Sequence, residues 1–162
     1  MRKSNGFTLI ELVIVIIILG ILAVTAAPKF INLQSDARES TLKGLEAAVK
    51  GGANLVYSKA AIQGQESVDG SSKNVDVSGD GAADVTAKFG YPSESSFNDN
   101  TELALWLDAT ISGAIGTTGD WERVPSETQL KPAGFSGADC YFEYEEATSI
   151  AAPTYTVEAD GC

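Results

Sequence analysis

The chain has 162 residues, with 11 Lys and Arg, 22 Asp and Glu, no His and two Cys, giving a formal net charge of −11 at pH 7. An acidic chain without a basic patch argues against nucleic-acid binding, because neutralisation of phosphates by Lys and Arg dominates that affinity. The lack of His removes the commonest general base and metal ligand, and no G-x-S-x-G, G-x-G-x-x-G or P-loop motif occurs, so we do not expect an enzyme.

An apolar run near the N-terminus contains one charge. It extends from Phe7 to Ala27, 21 residues, and the charge is Glu11. A helix of that length measures about 30 Å, the thickness of the hydrocarbon layer of a bilayer. A carboxylate at that depth costs about 2.5–3.5 kcal/mol on the mildest scales, so we interpret Glu11 as a functional residue.

The processing of this segment has two readings. A secretory signal cut after Ala27, beside small residues, would remove the apolar run. A cut between Gly6 and Phe7 would retain it and create a new amine about one helical turn from Glu11. In a bundle, the amine of one subunit could neutralise Glu11 of its neighbour. An unpaired buried charge is strongly unfavourable, so such pairing would set the axial register.

The periodic pattern continues beyond the apolar run and predicts one helix reaching about Ala61, roughly 80 Å long at 1.5 Å per residue. Its apolar positions are Phe30, Leu33, Ala37, Leu45, Ala48, Val49, Leu55 and Val56. Gly20 and Pro28 weaken the helix, since Gly has low helix propensity and Pro removes a backbone hydrogen bond. We expect this stretch to straighten or melt when subunits assemble.

The remainder of the chain predicts a small sheet after a long connection. Residues 62–100 are rich in Gly, Ser, Asp and Asn and indicate irregular structure. Residues 101–111 fit a short helix, with a strand as the alternative. Alternating patterns around 140–145 and 154–158 predict two strands, and 121–124 a third. The fold class is therefore α+β, with a long N-terminal helix packed on a small antiparallel sheet.

Two cysteines, Cys140 and Cys162, form an even count. In an exported chain this predicts one disulfide, which closes a C-terminal loop and contributes roughly 3 kcal/mol in the chain-entropy model. A redox or metal pair is disfavoured because no C-x-x-C motif and no His is present.

An acidic loop between residues 76 and 84 has part of the spacing of a calcium loop. Its candidate oxygen ligands are Asp76, Ser78, Asp80, Asp84 and the carbonyl of Ala82. Gly81 stands at the position of the sharp turn, but Ala87 occupies the place of the usual bidentate acid. A solvated Asp-Gly turn is the favoured reading, and calcium binding is the alternative.

Gly6 followed by Phe7-Thr8-Leu9-Ile10-Glu11, an aliphatic run with Gly20, and Pro28 resembles the processing signal of type IV pilins. The stretch 19–38, and later LVYSKAAIQGQE and FGYP, resemble the mannose-sensitive haemagglutinin (MSHA) pilins. The resemblance implies cleavage after Gly6 by a prepilin peptidase, N-methylation of Phe7, a role for Glu11 in methylation and docking, and a helical surface filament. It also implies the type IV pilin fold.

The resemblance divides the chain into a leader (1–6), a transmembrane and filament-core helix (7–28), an amphipathic continuation (29–61) and a globular head (62–162). The expected partners are copies of the chain, the peptidase, the inner-membrane assembly machinery and an unidentified surface or glycan receptor. The positively charged leader predicts a cytoplasmic N-terminus and a periplasmic head before export of the filament. A type II secretion pseudopilin is the alternative function.

Overall fold

A computed structural model of the chain describes residues 7–112, 119–124 and 127–162, with the side chains of 27–32 left aside. The chain divides into two compact units, Met1–Ala37 and Arg38–Cys162. Helix α1, Leu9–Gln63, contributes residues to each unit. The prediction of one helix through the apolar run and beyond it is confirmed, and the helix ends two residues later than expected.

The C-terminus of α1 is closed by Gly64, whose φ is +68°. The Gly64 N–H donates to the carbonyl of Ala61 at 3.3 Å, and the Gln65 N–H donates to that of Ala60 at 2.8 Å. This pair of bonds is the Schellman arrangement, which satisfies carbonyls left free by the last helical turn. Glycine adopts positive φ without steric strain, so its position decides where α1 stops.

In the unit Arg38–Cys162, one stripe of α1 is buried in the core. Its members follow one another at intervals of three or four residues, as one helix face requires: Leu42, Leu45, Val49, Ala53, Val56 and Ala60. Ala48 and Leu55, which belong to the predicted apolar pattern, lie outside this stripe and are exposed. The helix therefore keeps apolar surface that its own unit does not cover.

The segment after α1 forms a small hairpin and two short helices. Strands β1 (Ala87–Lys88) and β2 (Tyr91–Pro92) pair antiparallel. The two residues between them, Phe89 and Gly90, have φ of +49° and +83°. Positive φ at both positions defines the tight hairpin turn that matches strand twist. Helices α2 (Glu94–Asn98) and α3 (Asn100–Leu103) follow.

Five strands form the main sheet, in the order β3-β4-β5-β6-β7. Their bounds are Ile111–Ser112, Trp121–Arg123, Gln129–Pro132, Tyr141–Glu145 and Thr154–Glu158. The β3–β4 pair is parallel, and the other pairs are antiparallel. Side chains of β6 alternate as predicted, with Phe142 and Tyr144 fully buried.

Three details of the sheet differ from expectation, and the first is the parallel β3–β4 pair in a sheet expected to be antiparallel. Strand β5, which lies between β4 and β6, was not predicted. Its two polar residues and Pro132 hide the alternation that would indicate a strand. The predicted helix 101–111 continues only to Leu103, and Ile111 begins strand β3. The Asp99 carboxylate caps α3, accepting the N–H of Thr101 at 2.8 Å. The strand alternative therefore holds at the end of this segment.

Candidate functional site

The first turn of α1 contains a reciprocal cap. The Thr8 N–H donates to Glu11 Oε2 at 2.8 Å, and the Thr8 hydroxyl donates to the same oxygen at 2.7 Å. In return, the Glu11 N–H donates to Thr8 Oγ1 at 3.3 Å. This is the capping box, in which the N-cap and the third helical residue satisfy each other's free backbone N–H groups. The sequence pattern Thr-x-x-Glu before an apolar run contains this signal.

The apolar surface that follows is uncovered. Within the described residues, α1 includes one stretch, Leu9–Ala26, that is long and apolar enough to cross a membrane by length and composition. None of that window is buried. Fourteen large apolar side chains from Phe7 to Val24 are exposed. An exposed apolar surface of this extent marks a lipid or protein interaction site.

The predicted processing and assembly residues lie in different parts of this segment. Phe7 is 86% exposed just before the capping box. Gly6 and the rest of the leader lie outside the described residues. Gly20 has no atom within 4 Å of the place where a Cβ would stand, so it is open to a neighbouring molecule. The α1 backbone is helical through Gly20 and Pro28, and the predicted change on assembly stays a prediction.

The disulfide between Cys140 and Cys162 is present, and that prediction is confirmed. Arg38 attaches this loop to α1, because its guanidinium donates to the Cys162 carbonyl at 2.7 Å. The same guanidinium lies 4.5 Å from the centre of the Phe135 ring. A cation over an aromatic face adds attraction beyond the hydrogen bond. We name the set Arg38, Phe135 and Cys162 the C-terminal clasp.

The acidic loop is folded around its own backbone. Asp76 accepts the N–H groups of Gly79 at 2.6 Å and Gly81 at 2.8 Å. These hydrogen bonds lower the pKa of Asp76. Asp84 accepts the N–H groups of Val77 and Ser78, at 2.8 and 3.0 Å. Each carboxylate therefore uses both oxygens on backbone donors.

The same loop is tied to the end of α1 by a contact that sequence reasoning missed. The Gln63 side-chain amide donates to the Asp76 carbonyl at 2.7 Å and accepts the Asp76 N–H at 2.9 Å. The remaining predicted ligand side chains are Ser78, whose hydroxyl donates to Asp76, and Asp80, which accepts the Ala82 N–H. No convergent group of three acids, His or Cys able to hold a metal is found among the residues described. Calcium binding here stays a prediction.

Two buried polar residues support the head and were not predicted. The Glu102 carboxylate accepts the Thr86 N–H at 2.8 Å. Arg123 donates to the side-chain oxygens of Asn98 at 2.7 Å and Asn100 at 3.0 Å. Burial lowers the pKa of Arg123. These bonds join strand β4 and the 86–87 segment to α2 and α3, contacts that local sequence pattern does not reveal.

Comparison with known proteins gives matches to the N-terminal motif and to pilins. Residues 1–27 match the family model described as the prokaryotic N-terminal methylation motif. The chain is 41% identical over 61 residues to the type IV narrow pilus major component PilA5 of Thermus thermophilus, covering 38% of this chain and 49% of PilA5. It is 51% identical over 41 residues to the type IV major pilin protein PilA of Myxococcus xanthus, covering 25% of this chain and 19% of PilA.

The chain thus spans about half the length of one curated relative and about a fifth of the other. No solved structure matches it. The chain has a type IV pilin N-methylation motif, is similar to type IV major pilins over the matched stretches, and has an α+β fold consistent with theirs. Neither relative is described as an MSHA pilin, so that finer resemblance stays a prediction.

Proposed function

We propose that this chain is the major structural subunit of a type IV pilus, of the MSHA type, that polymerises through its N-terminal helix. The observation that carries the proposal is the uncovered Leu9–Ala26 surface, which lies within the stretch that matches the methylation motif. This surface needs lipid before assembly and other copies of the same helix afterwards. Both environments remove it from water.

Apolar area supplies the driving force for such a filament. Burial of one large apolar side chain contributes about 1.5–3 kcal/mol, and fourteen such side chains are available per subunit. Glu11 adds register instead of bulk affinity. Its carboxylate would meet the amine of Phe7 from a neighbouring subunit, and a shifted register would leave a buried charge unpaired.

Before assembly, the proposed location of the subunit is the bacterial inner membrane. Arg2 and Lys3 hold the leader in the cytoplasm, and the disulfide-bonded head lies in the periplasm. A prepilin peptidase cuts between Gly6 and Phe7 and methylates the new amine, and an assembly machine then moves the subunit into an extracellular pilus. The role is structural and not enzymatic, and it serves adhesion to a receptor and biofilm formation.

A type II secretion pseudopilin is the second candidate. It shares the N-terminal signal and the exposed apolar helix, but its filament is short and stays in the periplasm. The disulfide favours the surface pilus, and calcium binding at the Asp76–Asp84 loop would favour the pseudopilin.

The test is intact mass and N-terminal sequencing of the chain, carried out separately on protein sheared from whole cells and on membranes. A start at N-methyl-Phe7 in the sheared fraction supports a surface pilus. The same start in membranes alone supports the pseudopilin. A start after Ala27 would refute both, because it removes the helix on which they depend.

A further inference from the structure

The turn between β6 and β7 carries an apolar side chain at its tip. Ile150 is 94% exposed, the highest exposure among the large apolar residues described. The turn is held by the Thr148 and Ala151 backbones, with the Thr148 N–H donating to the Ala151 carbonyl at 2.9 Å. The Thr148 hydroxyl also accepts the Ala151 N–H at 3.1 Å. Ile150 is therefore presented on an ordered turn.

An isoleucine at this place contradicts local turn chemistry. Turn tips favour Gly, Asn, Asp and Ser, and a β-branched apolar residue has no local benefit there. The neighbouring Ala147 is 2% exposed, so the turn could have directed an apolar side chain inward, yet Ile150 faces solvent. Departures from local rules concentrate at functional sites.

The same unit contains an apolar cleft. The segment 104–110 lies against α1 at Gly52, where an added Cβ would stand 2.2 Å from the Trp106 carbonyl oxygen. This close approach places Leu105, 40% exposed, beside Leu55, 47% exposed. The two leucines line a cleft of about 440 Å³ with the rest of 104–110. That volume is within the range of sites that accept a ligand or side chain.

One pair of charges beside the two features is complementary, and the cleft lining also contains the exposed acid Asp108. Lys59 lies one turn after Leu55 on the same face of α1, and no described carboxylate is within 4 Å of its ammonium group. Glu145 is exposed at the end of β6, where the turn that carries Ile150 begins. Among the described residues its side chain accepts one hydrogen bond, from the Thr154 hydroxyl at 2.5 Å. Docking of the turn in the cleft would therefore bring the Glu145 carboxylate towards the Lys59 ammonium group.

We propose that Ile150 of one copy of this chain inserts into the Leu55–Leu105 cleft of another copy, with Glu145 facing Lys59. The inference rests on the proposed filament and adds a contact between heads. Ile150 and the cleft belong to different surfaces of the chain, since Ile150 does not fill the cleft of its own copy. Contacts between unlike surfaces are heterologous, and they extend into open helical arrays when the rotation does not close.

Engineered cysteines test the contact in the full chain, because the described residues contain no free cysteine. Cells producing Ile150→Cys with Leu105→Cys are sheared, and the filament fraction is oxidised and run without reductant. We expect a ladder of covalent oligomers longer than dimers, and no ladder from either single variant. The matched control pairs Ile150→Cys with Ile62→Cys, an 83% exposed helix position outside the cleft, and should give no ladder.

Other outcomes overturn the proposal. Sheared filaments without a ladder, or with an equal ladder from the control pair, refute the contact and leave the pilus function standing. Cross-linking that stops at dimers refutes the open arrangement. If the parent chain forms no filament, the proposed function fails, and the contact then stands only if the full chain extracted from membranes gives the same ladder.

A charge exchange provides an independent test. Lys59→Glu and Glu145→Lys should each lower the yield of sheared filament several-fold, and the double variant should restore most of it. Failure of the double variant to exceed the single variants would refute the pairing of these two residues.

Discussion

Thr8 and Glu11 cap the first turn of α1 reciprocally, and Thr8 donates two hydrogen bonds to one carboxylate oxygen of the only charged side chain in the apolar segment. A carboxylate bonded in this way is better tolerated near lipid than a free one, because one of its oxygens retains two hydrogen-bond donors. The cap therefore gives Glu11 a role in the unassembled subunit, before any neighbouring amine is available.

The two roles of Glu11 can be separated by substitution. Thr8→Ala removes the N-cap, which costs about 0.5–2 kcal/mol of local helix stability, and should speed amide exchange of residues 9–12 in detergent micelles. Glu11→Gln retains an oxygen for the Thr8 N–H but removes the charge, so it should leave amide protection near the parent level and abolish filament yield. Thr8→Ser is the control and should match the parent in both assays. Normal filament yield from Glu11→Gln would contradict the register role.

Alanine substitutions at the adjacent glycines Gly51 and Gly52 of α1 should change stability in opposite directions. In Gly52→Ala the new methyl would stand 2.2 Å from the Trp106 carbonyl oxygen, so the 104–110 segment must move, at a cost of about 1–3 kcal/mol. At Gly51 nothing lies within 4 Å, and Gly51→Ala should stabilise the helix by about 0.5–1 kcal/mol. Denaturant unfolding of the full chain in detergent measures both. Equal effects at the two positions would contradict the close packing at Trp106.

The C-terminal clasp should couple to the disulfide. Arg38→Gln loses a charge-assisted hydrogen bond to Cys162 and the contact with Phe135, and should destabilise the oxidised chain by about 1.5–3 kcal/mol. Reduction of the disulfide alone should cost about 3 kcal/mol. In the reduced chain the Arg38→Gln effect should shrink, because Cys162 is no longer held in place. Lys43→Gln, in an exposed pair with Glu39, is the control and should leave stability nearly unchanged.

The acidic loop predicts a pH dependence with a definite sign. The pKa of Asp76 is lowered in the folded chain by the N–H groups of Gly79 and Gly81. Its contribution to stability is therefore present above the unfolded value of about 3.9 and is lost as the pH falls through the lower folded value. Asp76→Asn should flatten the acid side of the curve of urea midpoint against pH, while Asp108→Asn, at an exposed position, should leave the curve unchanged. Parallel curves for the parent chain and Asp76→Asn would refute the assignment.

Calcium binding at this loop requires a rearrangement, because Asp76 and Asp84 already bond backbone N–H groups. If calcium binds, the metal must replace several of these bonds, and the amide signals of Val77, Gly79 and Gly81 should shift on titration. Asp84→Asn is the matched variant and should weaken the response. Absence of heat and of shifts up to millimolar calcium would reject the site.

The helix and the strands at residues 141–145 and 154–158 were predictable because each depends on local periodicity. The apolar run has the length of a membrane span, and the alternation around Phe142 and Tyr144 has the period of a strand with one buried face. The capping box was also readable as Thr-x-x-Glu. These features involve residues that are neighbours along the chain, so the chain order contains them.

The contacts of Gly52, Gln63 and Arg38 could not be predicted from local sequence pattern. The Trp106 backbone packs closely against Gly52, and the Gln63 side-chain amide bonds the backbone N–H and carbonyl of Asp76. The Arg38 guanidinium bonds the Cys162 carbonyl, 124 positions away in the sequence. Strand β5 was hidden because its pairing with β4 and β6 defines it more than its own composition does. The sequence by itself determined the apolar helix, its charged first turn and the fold class. Only the tertiary structure decided which helix face is buried, what attaches the C-terminal loop to α1 and where the Leu55–Leu105 cleft lies, because each depends on contacts between residues distant in the chain.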